Sequence, residues 1–91
     1  MVYLIHFNEP LHHAQHYCGY TSKDELQERM EAHRRGKGSR LLRAVSKAGI
    51  AWEVCRVWSD ADRHFERRLK NTHKLSRHCP VCRMKAGHKH A

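Results

Sequence analysis

The chain has 91 residues, with 18 lysines and arginines against 9 aspartates and glutamates, a formal charge of +9 with the histidines neutral. That length suits one domain with a modest core, and so large a surplus of positive charge points to a polyanionic partner, nucleic acid ahead of an anionic membrane. No apolar run reaches the length of a spanning helix and no basic segment followed by an apolar core opens the chain, so a cytoplasmic protein without membrane partners is expected.

Val2 to Phe7 is an apolar, aromatic and β-branched run. Asn8-Glu9-Pro10 closes it with turn chemistry, predicting a first strand. The loop Leu11 to Gln15 returns the chain into a second short strand, His16 to Tyr20, as an antiparallel hairpin. Side chains alternate faces along a strand, so Tyr3 and Tyr17 share a face only if opposed residues have numbers with an even sum. Ser22 followed by Glu25 is a capping-box pattern that predicts a helix from about Lys23 to Arg35, ended by Gly36. On it Leu26 and Met30 repeat at helical spacing, and Arg29 and His33 lie one turn apart on an adjoining stripe.

Ser39 is placed to cap a second helix carrying Leu41, Leu42, Val45 and Ala48, with Gly49 as its left-handed terminator. Ile50 to Trp58 is rich in strand formers. Its Trp52, Val54 and Trp58 share parity and are expected on one face of a strand central enough to be covered on both sides. Ser59-Asp60-Ala61-Asp62 starts a third helix that buries Ala61, Phe65 and Leu69, with Glu66 beside that stripe. The expected whole is an α/β (α+β) domain over residues 1–83, a three-stranded antiparallel sheet flanked by helices, followed by a basic, loosely ordered tail over 84–91.

Of the four cysteines, Cys18 and Cys55 fall inside predicted strands as small buried fillers. Cys79-Pro80-Val81-Cys82 has the spacing of one zinc knuckle, because two intervening residues let both thiolates reach one tetrahedral ion. Two more ligands are needed. His78 is the adjacent candidate, and His73, His88, His90 or a second chain are others. A redox Cys-x-x-Cys lacks its strand-then-helix setting, and ten histidines can also bind metals adventitiously. Arg34, Arg35, Lys37, Arg40, Arg43 and Lys47 form a basic band with few acids interspersed, suited to gripping phosphates without reading bases.

Val2-Tyr3-Leu4, Tyr17-Cys18-Gly19-Tyr20-Thr21-Ser22, Arg29-x-x-x-His33 and Glu66-Arg67-Arg68-Leu69-Lys70 resemble, in that order, the motifs of the GIY-YIG nuclease superfamily. The resemblance implies a metal-dependent endonuclease hydrolysing DNA phosphodiester bonds, with RNA also open as substrate. Tyr3 and Tyr17 match the tyrosines that orient or deprotonate the attacking water. Arg29 matches the arginine that braces the scissile phosphate, a task suited to a planar fork of donors, and His33 the histidine one turn later. Glu66 matches the ligand of a single Mg²⁺ or Mn²⁺. Gly19 would let backbone approach the substrate, and Lys23, Arg34, Arg35, Lys37 and Arg40 would bind it.

The first motif keeps only its tyrosine, reading Met1-Val2-Tyr3, and the asparagine that many members carry after the glutamate has no clear counterpart. The alternative is a catalytically inactive nucleic-acid-binding adaptor with a zinc knuckle on the same fold.

Overall fold

In the computed structural model, which describes residues 1–72 and 75–89 and only the backbone of 85–89, the sheet is built around β1 (Val2–Leu11). Val2, Tyr3, Leu4, Ile5, His6 and Phe7 are all essentially inaccessible to solvent. A strand so uniformly covered needs neighbours on both edges and packing on both faces. β2 (Ala14–Tyr20) and β3 (Trp52–Trp58) supply the edges, both antiparallel, in the order β2-β1-β3. The helices α1 (Leu26–Arg34), α2 (Arg40–Lys47), α3 (Arg63–Asn71) and α4 (Pro80–Lys89) flank this sheet, giving the expected α+β arrangement. Among the described residues no helix is long and apolar enough to cross a membrane.

The two faces have separate cores. Tyr3, Ile5 and Phe7 pack with Met30, Leu42 and Val45 of α1 and α2, while Val2, Leu4 and Cys18 pack with Leu69 of α3 and with Cys79. Opposed residues of β1 and β2 have even-sum numbers, as in Tyr3 with Gly19, Ile5 with Tyr17 and His6 with His16. Tyr3 and Tyr17 therefore share a face, and His6 and His16 meet on the other.

Several local expectations are corrected. β1 runs on through Pro10 to Leu11, with an irregularity in its pairing after His6 that accommodates the proline, and the turn narrows to His12 and His13. His12 takes a left-handed φ of 54° there. β3 is an edge strand, because the first strand holds the centre. Its tryptophans do not share a face: Leu4 pairs with Arg56 but Ile5 with Val54, so Cys55 is an extra residue that inverts the parity. Trp52 and Val54 pack into one core and Trp58 into the other.

The capping box at Ser22 does not form. Lys23–Glu25 is a 3₁₀ turn in which the Ser22 carbonyl already accepts from the Glu25 amide at 3.2 Å, so that donor is spent. The other caps are as read: the Ser39 hydroxyl accepts from the amides of Leu41 and Leu42 at 3.1 and 3.5 Å, and Gly36 and Gly49 take φ of 76° and 74°. Asp62 starts α3, accepting from the Phe65 amide at 3.0 Å. Residues 84–89, expected as loose tail, belong in backbone to α4, and the remainder of that segment lies outside the described residues.

Candidate active site

The hairpin register brings two phenols to one face, and the neighbouring helices close a cavity over them. Tyr3, Tyr17, Arg29, His33 and Glu66 line one open cavity of roughly 340 Å³, together with Tyr20, Lys37, Gly38, Ser39 and Arg63. The Tyr3 and Tyr17 rings lie 6.2 Å apart, and His33 presents its ring to Tyr17 edge-on at 5.6 Å. α1 delivers Arg29 and His33 from the side of the first core, and α3, packed chiefly against β2, delivers Glu66. The Glu66 carboxylate is 3.5 Å from Lys70 Nζ one turn on, and that ammonium also lies 5.9 Å from the centre of the Tyr17 ring.

Tyr3 and His33 are both buried, and their hydrogen bonds fix the state of the imidazole. The Ser39 amide can only donate, and it reaches His33 Nδ1 at 3.3 Å. A neutral imidazole that accepts at Nδ1 carries its proton on Nε2, and Nε2 lies 3.0 Å from the Tyr3 hydroxyl. The tautomer thus assigned has His33 donating to Tyr3 Oη. Burial, then the adjacent Arg29 guanidinium, hold the His33 pKa below its ordinary value, consistent with that neutral form. Burial pushes the Tyr3 phenol up, Tyr17 and Glu66 push the same way, and Arg29 opposes them. Tyr3 is consequently a protonated phenol at neutral pH.

Two glycines make room for this pair. A Cβ on Gly19 would fall on the Tyr3 ring, and one on Gly38 would fall on the His33 ring. The Gly19 backbone thus admits the close approach of the Tyr3 ring, where any side chain would intrude.

The remaining residues read from the sequence are placed as follows. Lys37 lines the cavity, whereas Lys23 is exposed outside it, 3.7 Å from the still more exposed Asp60. Arg34 stacks on Trp52 at 5.0 Å and, with Arg35, Lys37, Arg43 and Lys47, lines a second groove of roughly 530 Å³. Arg40 is exposed at the start of α2 and lines neither. Tyr20 and Arg63, stacked on each other at 5.2 Å, were not anticipated. Arg63 precedes Glu66 by three residues, a helical spacing from which it could have been found.

The cysteine knuckle lies apart from this cavity. Cys79 and Cys82 face His6 and His16, and all four ligand atoms lie within 4.8 Å of one another. His78, expected as the third ligand, instead packs edge-on against Trp58 at 6.2 Å, and its carbonyl accepts from Arg56 at 3.4 Å. The 3₁₀ turn Leu75–His78 immediately before Cys79 leaves it beside the tryptophan, outside the four-residue cluster. His73, His88 and His90 lie outside the residues whose side chains are described. His6 and His16 were missed although any even-sum pairing that puts Tyr3 and Tyr17 on one face puts His6 and His16 together on the other, and the observed register sets them directly opposite.

Neither the curated proteins nor the solved structures contain a match to this chain. The family model of the GIY-YIG catalytic domain, however, matches residues 1–78, the stretch that holds every residue lining the cavity. With the ordered motifs, the sheet and the cavity in agreement, the chain belongs to the GIY-YIG catalytic domain family, a family of nucleases.

Proposed function

We propose that the domain is an endonuclease that hydrolyses DNA phosphodiester bonds with the help of one Mg²⁺ or Mn²⁺ at Glu66. The observation that carries the reading is that two phenols, a guanidinium, an imidazole and a carboxylate, scattered from Tyr3 to Glu66 along the chain, line one cavity open to solvent. Glu66 fits a hard divalent ion, being a lone carboxylate on the cavity wall with its side chain 19 % exposed. One acidic ligand leaves the other positions of such an ion to water and phosphate oxygens. When bound there, the ion supplies positive charge to the phosphate and raises the acidity of nearby water.

The chain's own residues divide the remaining work. Arg29 is exposed at the cavity wall, where its planar donors can hold two phosphate oxygens and meet the charge that builds on phosphorus. Tyr3 Oη accepts from His33 Nε2, so its own proton can be aimed into the cavity to orient the attacking water. The Ser39 amide holds His33 in the tautomer that makes this possible. Lys37 and Arg63 on the rim add phosphate contacts.

The test is cleavage of supercoiled plasmid with Mg²⁺ or Mn²⁺ against an EDTA control, beside Glu66→Ala and Arg29→Ala. Glu66→Ala should leave only background cutting while DNA binding persists, and Arg29→Ala should slow cleavage by about 10²- to 10³-fold. A wild-type chain that binds DNA but is inert with both ions would instead identify a non-catalytic adaptor.

A further inference from the structure

We propose that His6, His16, Cys79 and Cys82 form a structural Zn²⁺ site, on the opposite face of the sheet from Tyr3 and Tyr17, that clamps the start of α4 onto the β1–β2 hairpin. His6 Nδ1 lies 3.3 Å from His16 Nε2, 3.4 Å from Cys79 Sγ and 3.6 Å from Cys82 Sγ, and Cys82 Sγ lies 3.4 Å from His16 Nε2. A tetrahedron around zinc with ordinary bond lengths places two nitrogens about 3.3 Å apart and a nitrogen and a sulfur about 3.5 Å apart. These four separations match the corresponding edges of such a tetrahedron.

Hydrogen bonding alone does not account for this convergence. A ring nitrogen has one proton to donate or one lone pair to accept with, yet three ligand atoms crowd His6 Nδ1 at bonding distance. A central cation satisfies all four atoms together. Two thiolates and two imidazoles with no carboxylate select zinc over Mg²⁺ or Ca²⁺. A two-iron cluster with its histidines on one iron and cysteines on the other would hold the pairs a cluster's width apart, whereas here nitrogen and sulfur are 3.4 Å apart. Four protein ligands complete the coordination and leave no position for substrate, so the ion is structural.

The site joins residues inside and outside the family match. The family match ends at residue 78, so Cys79 and Cys82 come from the adjoining segment while His6 and His16 come from the hairpin. Cys79 is wholly buried, and Cys55, Leu75 and Val81 pack around it with the second core. In so small a domain a metal that joins residues distant in sequence adds its binding free energy to folding.

Metal analysis of the full chain, purified without chelators, should find one zinc per chain. Cobalt substitution should give the visible spectrum of a tetrahedral ion with thiolate charge transfer, and strong chelation should lower the melting temperature. His16→Asn and Cys82→Ser, at half-buried positions, should lose stoichiometric zinc, while His78→Ala and Glu66→Ala keep it. Glu66→Ala thereby separates this site from the catalytic reading, since it removes cleavage and spares zinc. A folded wild-type chain without zinc that gives no tetrahedral cobalt spectrum would overturn the proposal. Loss of zinc in His78→Ala with retention in His16→Asn would overturn the ligand set.

Discussion

His33 shows how a single buried side chain ties the site to the fold. It is 2 % exposed, and its ring is enclosed by Tyr3, Tyr17, Trp52 and the Ser39 amide, with Arg29 one turn before it as the neighbouring charge. Protonation would place a second proton on the ring, turn Nδ1 from acceptor to donor and set it against the Ser39 N–H. The folded state therefore resists a proton that the unfolded chain accepts at about pH 6.5. Above that value both states hold neutral imidazole and His33 makes stability no function of pH. As pH falls through it, the unfolded chain binds the proton first and stability drops, by at most about 1.4 kcal/mol per pH unit for one proton. Chemical denaturation of wild type and His33→Gln between neutral and mildly acidic pH should show a shallower pH slope in the variant. Equal slopes would mean that the folded chain takes up the His33 proton as readily as the unfolded one. Parity made the face shared by Tyr3 and Tyr17 conditional on an even-sum register, which the hairpin has. That His33 holds a specific tautomer was not legible, because it depends on a backbone amide six residues away, whose approach to the ring no local signal marks.

At the level of elements, what could be read depended on whether a local signal met competition from the backbone. Ser39 and Ser22 looked equivalent, a hydroxyl ahead of a helix. Ser39 precedes an α-helix whose first amides have no carbonyl partner, so its oxygen takes them, whereas the amide that Ser22 would cap is already bound within a 3₁₀ turn. Ser39→Ala should therefore cost about 1 kcal/mol, and Ser22→Ala should stay within about 0.5 kcal/mol of wild type. Thermal or denaturant unfolding of both variants measures the contrast, and equal losses would refute it. Ser39→Ala should keep most of its cleavage rate, because the bond to His33 comes from the backbone and survives the substitution. β3 failed for a related reason. Its residues have strand propensity and alternate plausibly, but the extra residue at Cys55 is a property of the pair with β1 and has no mark in β3 itself.

At the scale of the whole molecule, two neighbouring surfaces collect part of the positive charge. Arg29, Lys37 and Arg63 line the cavity with Glu66, while Arg34, Arg35, Arg43 and Lys47 line the neighbouring groove beside α2, with Lys37 shared between them. This division was half legible: the basic band stood out as a run, but Arg40, within the run, lines neither surface. A groove that grips phosphates without reading bases binds through release of condensed counterions, so the logarithm of the binding constant falls linearly with the logarithm of salt. Arg43 and Lys47 lie one helical turn apart on that groove, remote in role from the cavity. If each contacts one phosphate, Arg43→Ala with Lys47→Ala should reduce the slope by roughly 2 and weaken binding about equally for unrelated duplexes. Cleavage at saturating DNA should be nearly unchanged, because the groups around the scissile bond are intact. Binding titrations across a salt series decide the matter. An unaltered slope would remove the groove from the DNA path.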